Sequence, residues 1–389
     1  MTDQPTVNMN IWATLSILLS TLALIPYAVY TLIFLFTLPK SIQLKQNHYV
    51  PTVSIVLPTF NESSIIEKKL NNLCSLDYPL DKIEVVVVDS STDTTREIIS
   101  SFFNSIEFPK LKLIKEPKRA GLAIALNMAY SETSNDIVIK TDCDSLLDRN
   151  SIKAAVANFS NANVGAVTGT NSKVIGGSKV ESDYRNIQFY VQLLESHFDS
   201  TFIFHGPFSA FRRNCIVPVE KDSLADDTEL ALKIRRQNLR VVFDPNIKFQ
   251  EASHSSFWKR RMQKDRRAMG LVQVLLRNKD MVGNYGLYGR FVIPSNWWFL
   301  IISPWIIFLS MASIAIAIFS IKPLFILPLV FLIIFSIWLG QKDSLGPLQM
   351  PYALFDTQVS LLRSHLLLLT KKNVDGIWEV DPTLRELFK

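Results

Sequence analysis

The sequence predicts an α/β domain with a mixed, mostly parallel sheet, carried between transmembrane α-helices. Three observations predict it. Short runs rich in Val and Ile alternate with helical stretches between residues 49 and 280, and three long segments carry no charged side chain. The third is the run Ile137-Val138-Ile139-Lys140-Thr141-Asp142-Cys143-Asp144, an apolar strand that ends in two carboxylates. At 389 residues and 48% apolar content the chain is long enough for one large ordered domain plus further elements.

The first charge-free segment covers residues 11 to 38, and 291 to 321 and 323 to 340 form two more, broken at Lys322-Pro323. A bilayer needs roughly 20 apolar residues per helix, so each is long enough to span. The first is too long for the apolar part of a signal peptide, has no basic residue before it and shows no small-residue cleavage pattern, so it reads as a retained anchor. No Lys or Arg precedes residue 11. Lys40 and Lys45 follow the first span, Arg277, Lys279 and Arg290 precede the second, and Lys371 and Lys372 follow the third. Basic residues gather on the cytosolic side, which predicts a multi-pass cell-membrane protein with a cytosolic middle domain. The expected division is a 1–48 anchor, a 49–280 cytosolic domain with an interfacial helix near its end, and a 281–389 membrane hairpin with an interfacial or cytosolic tail. Residues 347 to 370, apolar but interrupted by Asp356, Gln358, Arg363 and His365, read as an interfacial or re-entrant helix. The net charge of +6 sits near membrane flanks, where it meets membrane lipids, and no nucleic acid is expected. Cys74, Cys143 and Cys215 lack any zinc or disulfide spacing and suit a reducing compartment.

Within the middle domain, Val53–Leu57, Ile83–Val88, Leu111–Ile114 and Asp136–Ile139 read as strands. Helical stretches near 62–75, 94–104 and 119–131 separate them. In such sheets a ligand lies beyond the carboxyl ends of the strands. There the sequence places Pro58-Thr59-Phe60-Asn61-Glu62, then Asp89-Ser90-Ser91-Thr92-Asp93, then Asp142-Cys143-Asp144. Asp93 reads as a helix cap, and Asp89 as a ligand group able to accept from a nucleobase or ribose. In an extended chain Asp142 and Asp144 face one way, so both can meet one hard cation, Mg²⁺ or Mn²⁺, that carries a substrate diphosphate.

Pro-x-x-Asn-Glu, Val-Asp-Ser-Ser-Thr-Asp, Lys118-Arg119-Ala120-Gly121 with Ala125-Leu126-Asn127, and Thr-Asp-x-Asp occur in the order seen in family 2 glycosyltransferases, which residues 51 to 270 resemble. The resemblance implies a GT-A fold and an inverting transfer from a nucleotide-diphospho-sugar donor held through a divalent metal. It implies that Asp89 and Glu62 contact the nucleoside, that Asp142 and Asp144 contact the diphosphate and metal, and that Pro58, Lys118 and Asn127 lie on the donor side. Cleaving a sugar–phosphate bond builds negative charge on the leaving diphosphate, and a cation with basic side chains placed in advance stabilises it.

A second acidic group, Asp226-Asp227-Thr228-Glu229, opens a helical segment. One reading is a charged first turn. Inversion also needs a carboxylate to take the acceptor hydroxyl's proton, and a crowded acid pair has the raised pKa for it. The resemblance puts that base in a Glu-Asp pair, here Asp226-Asp227, with Asp227 as base and Asp226 assisting. Gly206-Pro207-Phe208 resembles the acceptor side of the pocket, with Gly206 and Phe208 as contacts; a buried loop with an aromatic plug is the alternative.

The stretch Phe257 to Arg267 reads as an amphipathic interfacial helix, with Lys259, Arg260 and Arg261 toward headgroups and Trp258 and Met262 toward lipid. Its Gln263-Lys264-Asp265-Arg266-Arg267 resembles the Gln-x-x-Arg-Trp element of membrane polysaccharide synthases and ceramide glucosyltransferases. Gln263 and Arg266 match it as donor-side groups, while Arg267 stands where that element has Trp. Five histidines, among them His48, His205, His254 and His365, share no spacing and read as packed or surface residues. The expected reaction is sugar transfer to a lipid-linked or glycan acceptor at the membrane surface. A processive synthase and a catalytically silent sugar-nucleotide-binding scaffold are the alternatives.

Overall fold

The computed structural model describes residues 4–37, 39, 49–254, 256–370 and 382–388. The orientation residues Lys40, Lys45, Lys371 and Lys372, together with His48, lie outside them. Eight strands form one sheet: β1 (Val53–Thr59), β2 (Ile83–Asp89), β3 (Lys110–Lys115), β4 (Ile137–Lys140), β5 (Ser145–Leu147), β6 (Val164–Ile175), β7 (Ser209–Arg212) and β8 (Arg240–Ala252), in the order β3-β2-β1-β4-β7-β6-β8-β5. The β3-β2-β1-β4 half is parallel throughout; β7 runs against β4 and β6, β8 runs with β6, and β5 runs against β8.

Side-chain alternation along the parallel strands explains how both faces are covered. Ile55, Leu57, Val85 and Val87 point to one face and pack with Ile66, Leu70 and Leu73 of α2 (Ile66–Cys74), Ile99 of α3 (Thr95–Asn104) and Ile152. Val56, Val86, Val88 and Val138 point the other way, against α4 (Leu122–Glu132) and the residues Leu230, Ala231 and Ile234. Asp93 does cap α3: it accepts the Thr95 N–H at 3.0 Å. Helix α5 (Ser151–Asn158) packs on β8, and α6 (Lys179–Phe198) and α7 (Asp226–Arg235) complete the layers.

Three helical segments are long and apolar enough to cross a membrane: Ile11–Thr37 within α1 (Gln4–Thr37), Tyr288–Ile321 and Pro323–Gln341. The second is continuous but widens twice into π-turns, at Tyr288–Val292 and Trp298–Ile302, around α9 (Ile293–Trp297) and ahead of α10 (Ser303–Ile321). Pro294 and Pro304 open α9 and α10; each lacks an N–H and crowds the preceding turn, which the wider turns accommodate. α1 packs on α10 through hydroxyl pairs, Ser20 with Ser310 at 2.7 Å and Tyr27 with Ser303 at 3.1 Å. α11 (Ile326–Gln341) follows, and the 347–370 segment forms a further helix, α12 (Gln349–Thr370).

The basic stretch before the membrane hairpin differs from its expected orientation. It forms α8 (Phe257–Arg277), and Trp258 and Met262 are exposed as expected. Arg260 and Arg261 are buried instead of facing headgroups. The cause is α12, which lies along α8 and supplies counter-charge, since Arg261 pairs with Asp356 and Lys264 reaches Asp356 at 2.8 Å; Arg260 donates to the amide oxygen of Gln341 at the end of α11. A short helix, α13 (Pro382–Glu386), brings the last described residues back to the sheet domain, where Leu384 and Phe388 join the core beneath the parallel strands.

Candidate active site

One cavity opens above the carboxyl ends of β1, β2 and β4, and Asp142, Asp144, Asp226 and Asp227 all line it. The Asp142-Cys143-Asp144 turn is fixed from below by Lys69, a fully buried lysine of α2. Its ammonium donates to Thr141 Oγ1 at 2.7 Å, to the Ser145 carbonyl at 2.8 Å and to Ser145 Oγ at 3.1 Å. Burial lowers the Lys69 pKa to about 8. Thr141 Oγ1 donates to the Pro207 carbonyl at 2.8 Å, tying this turn to the Gly206-Pro207 loop.

Lys140, the last residue of β4, joins the two acidic groups that the sequence separates by over eighty residues. Its Nζ lies 2.9 Å from Asp142 Oδ1, 3.1 Å from Asp227 Oδ2 and 3.9 Å from Asp226 Oδ2, and only 2% of its side chain is exposed. Burial would discharge this amine, but the carboxylates of Asp142 and Asp227 more than offset it and hold it protonated. Asp227 moves the opposite way. Burial raises its pKa first, the Asp226 charge adds to it, and Lys140 only partly restrains the rise, so Asp227 stands well above the ordinary carboxyl range. Asp226 is raised by burial too. Gly206 passes between these groups. A methyl on its Cα would sit 2.6 Å from Asp142 Oδ2, 2.9 Å from Lys140 Nζ and 3.3 Å from Asp227 Oδ2, so only glycine lets the loop close over the site.

The opposite wall holds a contact that nothing in the sequence signals. Arg385 of α13 grips Glu62 with two hydrogen bonds, Nε to Oε2 at 2.7 Å and Nη2 to Oε1 at 2.5 Å, and its Nη1 lies 2.6 Å from Asp144 Oδ2. Burial pushes the Glu62 pKa up to about 7 although Arg385 opposes it. At Asp144 burial acts in the same sense, yet Arg385 outweighs it and the carboxyl lies below its ordinary range.

The other expected site residues divide. Pro58, Gly206, Gln263 and Arg266 line the cavity with the four aspartates and Glu62. Asp89 lies beneath it, fully buried: Oδ1 accepts from Thr59 Oγ1 at 2.8 Å and Ser91 Oγ at 2.5 Å, and Oδ2 pairs with Arg96 at 2.6 Å. Lys118 is exposed, and its neighbour Arg119 takes the place on the wall. Asn127 spends both ends of its amide on the Val219 backbone, donating to the carbonyl and accepting the N–H at 2.9 Å each. Phe208 has no exposed surface and packs in the core, the aromatic plug of the alternative reading, because its neighbour Gly206 occupies the cavity side. Arg267 also reaches the wall, paired with Glu251 and Glu181, and His205 is buried beside it with Nε2 3.0 Å from Gln192 Oε1. Burial keeps that imidazole neutral.

The donor set suits a hard divalent cation. Asp142 and Asp144 both offer carboxylate oxygens to the cavity, and Mg²⁺ or Mn²⁺ takes one or two carboxylates plus substrate phosphates rather than a full protein cage.

Residues 54–216 match the family model of glycosyl transferase family 2, and residues 137–339 that of glycosyl transferase family group 2. The chain is 27% identical over 207 residues to the probable glycosyltransferase YdaM of Bacillus subtilis, covering 50% of this chain and 49% of that one. It is 26% identical over 251 residues to the poly-beta-1,6-N-acetyl-D-glucosamine synthase of Staphylococcus epidermidis, covering 61% and 59%. The alignments thus span only part of these curated relatives' length. Among solved structures, the mannosyltransferase PcManGT from Pyrobaculum calidifontis, in complex with GDP-Man and Mn²⁺, superposes with a TM-score of 0.78 at 26% identity, over 93% of this chain and 100% of that one.

Proposed function

The chain belongs to glycosyl transferase family group 2, and from that membership we propose that it transfers a sugar, with inversion, from a nucleotide-diphospho-sugar to a lipid-linked acceptor at the cytosolic face of a membrane. The convergence of Asp142, Asp144, Asp226 and Asp227 on one cavity, bridged by Lys140, carries this reading. Asp227 takes the proton of the acceptor hydroxyl as that oxygen bonds the anomeric carbon. The bond from that carbon to the donor phosphate oxygen breaks in the same step, leaving its electron pair on the diphosphate. Burial first, and the Asp226 charge second, raise the pKa of Asp227, which strengthens it as a proton acceptor once it is ionised. Asp142 and Asp144 would hold Mg²⁺ or Mn²⁺, which would neutralise charge on the leaving diphosphate. Gln263 and Arg266 close the cavity from α8, and an arginine there can grip phosphate oxygens in a fork. That PcManGT binds GDP-Man and Mn²⁺ supports a nucleotide-sugar donor and a divalent ion here too.

The packing of α8, which carries Gln263 and Arg266, along α12, which in turn contacts α10 and α11, supports a lipid-linked acceptor that brings its hydroxyl from the membrane side. The similarity to a poly-beta-1,6-N-acetyl-D-glucosamine synthase favours one second reading, a processive synthase. Purified full-length protein in nanodiscs with UDP-, GDP- or dTDP-sugars, Mg²⁺ or Mn²⁺ and membrane-lipid acceptors should release nucleoside diphosphate. Asp227→Asn should abolish release while sparing donor binding, and product length separates one transfer from many. Undiminished release by Asp227→Asn removes Asp227 from its role.

A further inference from the structure

We propose that Glu116 reads the nucleobase of the donor and that this base is guanine, a specification resting on the nucleotide-sugar reading above. The cavity has a direction. Its acceptor end holds Asp226 and Asp227, and the turn after β4 holds Asp142 and Asp144 for the diphosphate; the nucleoside must then extend away from the acceptor, over the ends of β1, β2 and β3. At that end stand Phe60, Ser90, Glu116, Arg119, Gly121 and Leu122.

The end is shaped for a flat ring. The Arg119 guanidinium carbon lies 3.6 Å from the Phe60 ring centroid, a stacked pair whose planar faces suit a base. Gly121 opens α4 with φ of 113°, a conformation that L side chains rarely adopt, and so lets the backbone turn at this end of the cavity.

The carboxylate at this end is Glu116, since Asp89 is committed to Thr59, Ser91 and Arg96 below. Glu116 directly follows β3, where its N–H donates to the Asp89 carbonyl at 2.9 Å, and it is only 6% exposed. Oε1 accepts the Ala120 N–H at 3.0 Å, which fixes the group without exhausting an acceptor of about four lone-pair sites. Guanine alone among the common bases sets two donors side by side on one edge, the ring N1–H and the 2-amino group, and a carboxylate accepts both. Uracil and thymine offer one imide N–H flanked by two carbonyl oxygens, which a carboxylate repels. Adenine and cytosine pair an amino group with a ring acceptor. A buried acceptor left facing a base that cannot donate loses strongly, so Glu116 discriminates.

The test is calorimetric binding to the full chain in nanodiscs with Mg²⁺ and GDP, inosine diphosphate or UDP, for wild type and Glu116→Gln. Inosine diphosphate lacks only the 2-amino group. Wild type should bind GDP roughly tenfold tighter than inosine diphosphate and at least about 30-fold tighter than UDP. The glutamine keeps an oxygen for the Ala120 N–H, so its UDP affinity should stay near wild type while the preference of GDP over inosine diphosphate disappears. UDP binding as tightly as GDP in wild type, or an unchanged GDP preference in Glu116→Gln, overturns the assignment and leaves the transferase reading standing. If no nucleoside diphosphate binds, both fall.

Discussion

Replacing Lys140 with Met removes an ammonium that lies 2.9 Å from Asp142 and 3.1 Å from Asp227. The ammonium sits 3.1 Å from Asp227 Oδ2 and is 98% covered, so solvent screens this pair little. A hydrogen bond to a charged partner is worth about 1.5–3 kcal/mol. Its loss should lift the already raised Asp227 pKa further. Because Asp227 acts deprotonated, the acid limb of the pH–rate profile should move to higher pH, and on that limb turnover at a fixed pH should fall about 10- to 100-fold, the factor that about 1.5–3 kcal/mol represents, and recover as pH rises. Stability changes in the opposite direction. A carboxyl whose folded pKa exceeds its unfolded value contributes stability that is complete below the unfolded pKa and is lost as pH rises through the folded one. Lys140→Met should therefore melt close to wild type near pH 5 and far below it at pH 8, where leaving buried charge unpaired costs about 3–5 kcal/mol. Nucleoside diphosphate release measured from pH 5.5 to 9.5, with thermal melts at the same pH values, checks both. An acid limb at or below that of wild type would refute the claim that Lys140 tunes the base.

Three further outcomes follow from single contacts. Arg385→Gln frees Asp144 and Glu62 from a guanidinium that competes for the same oxygens, so Mn²⁺ affinity without nucleotide, read by electron paramagnetic resonance, should rise by roughly tenfold; an unchanged affinity means that Arg385 and the ion do not compete. Gly206→Ala drives a methyl against Asp142 and Lys140, and turnover should drop by at least about 100-fold with the circular dichroism spectrum retained. Glu195 of α6 is buried, accepts from Phe202, Thr201 and Asn296, and is pushed by burial up to about 7. It should thus contribute stability that is full below pH 4.5 and gone above about 7, worth up to about 3 kcal/mol. Glu195→Gln should flatten the decline in melting temperature between pH 5.5 and 8.5.

The parallel half of the sheet was legible because its strands are buried on both faces, and Val53–Leu57 or Ile83–Val88 then stand out as apolar runs between turn residues. The antiparallel half was not. β6 and β8 carry Thr, Asn, Lys and Gln over their outer ends and shift register, which blurs the period that identifies a strand. The four site aspartates were legible through their place after strands or at a helix start. Lys140 was present in the opening motif without a role, although a lone lysine in a buried strand end already demands carboxylate partners. Arg385 had no such signal: it meets Glu62 across more than three hundred residues, a contact that only the folded chain creates. Asp89, Asn127 and Phe208 are right in type for a pocket but are used up by their neighbours, which spacing does not reveal.

The basic face of α8 misled for an instructive reason. Lys259, Arg260 and Arg261 beside an apolar hairpin read as a headgroup-facing surface, yet Arg260 and Arg261 turn inward, and Arg261 joins a continuous ion network. Arg185 and Arg267, on the cavity wall, both pair with Glu181 and Glu251; Lys264 lies 4.0 Å from Glu181 and 2.8 Å from Asp356; and Arg261 closes on Asp356 of α12. Buried ion pairs add little net stability, but breaking one is costly, so such a network fixes where its helices sit relative to one another. It runs without interruption from residues that face the substrate cavity to a helix packed on the apolar spans. The membrane-proximal helices are therefore part of the active-site wall rather than a tether for it. A chain cut after α8 would retain Asp227 and Lys140, lose Asp356 and Arg385 together, and leave Arg261 and Lys264 of α8 without the carboxylate they share.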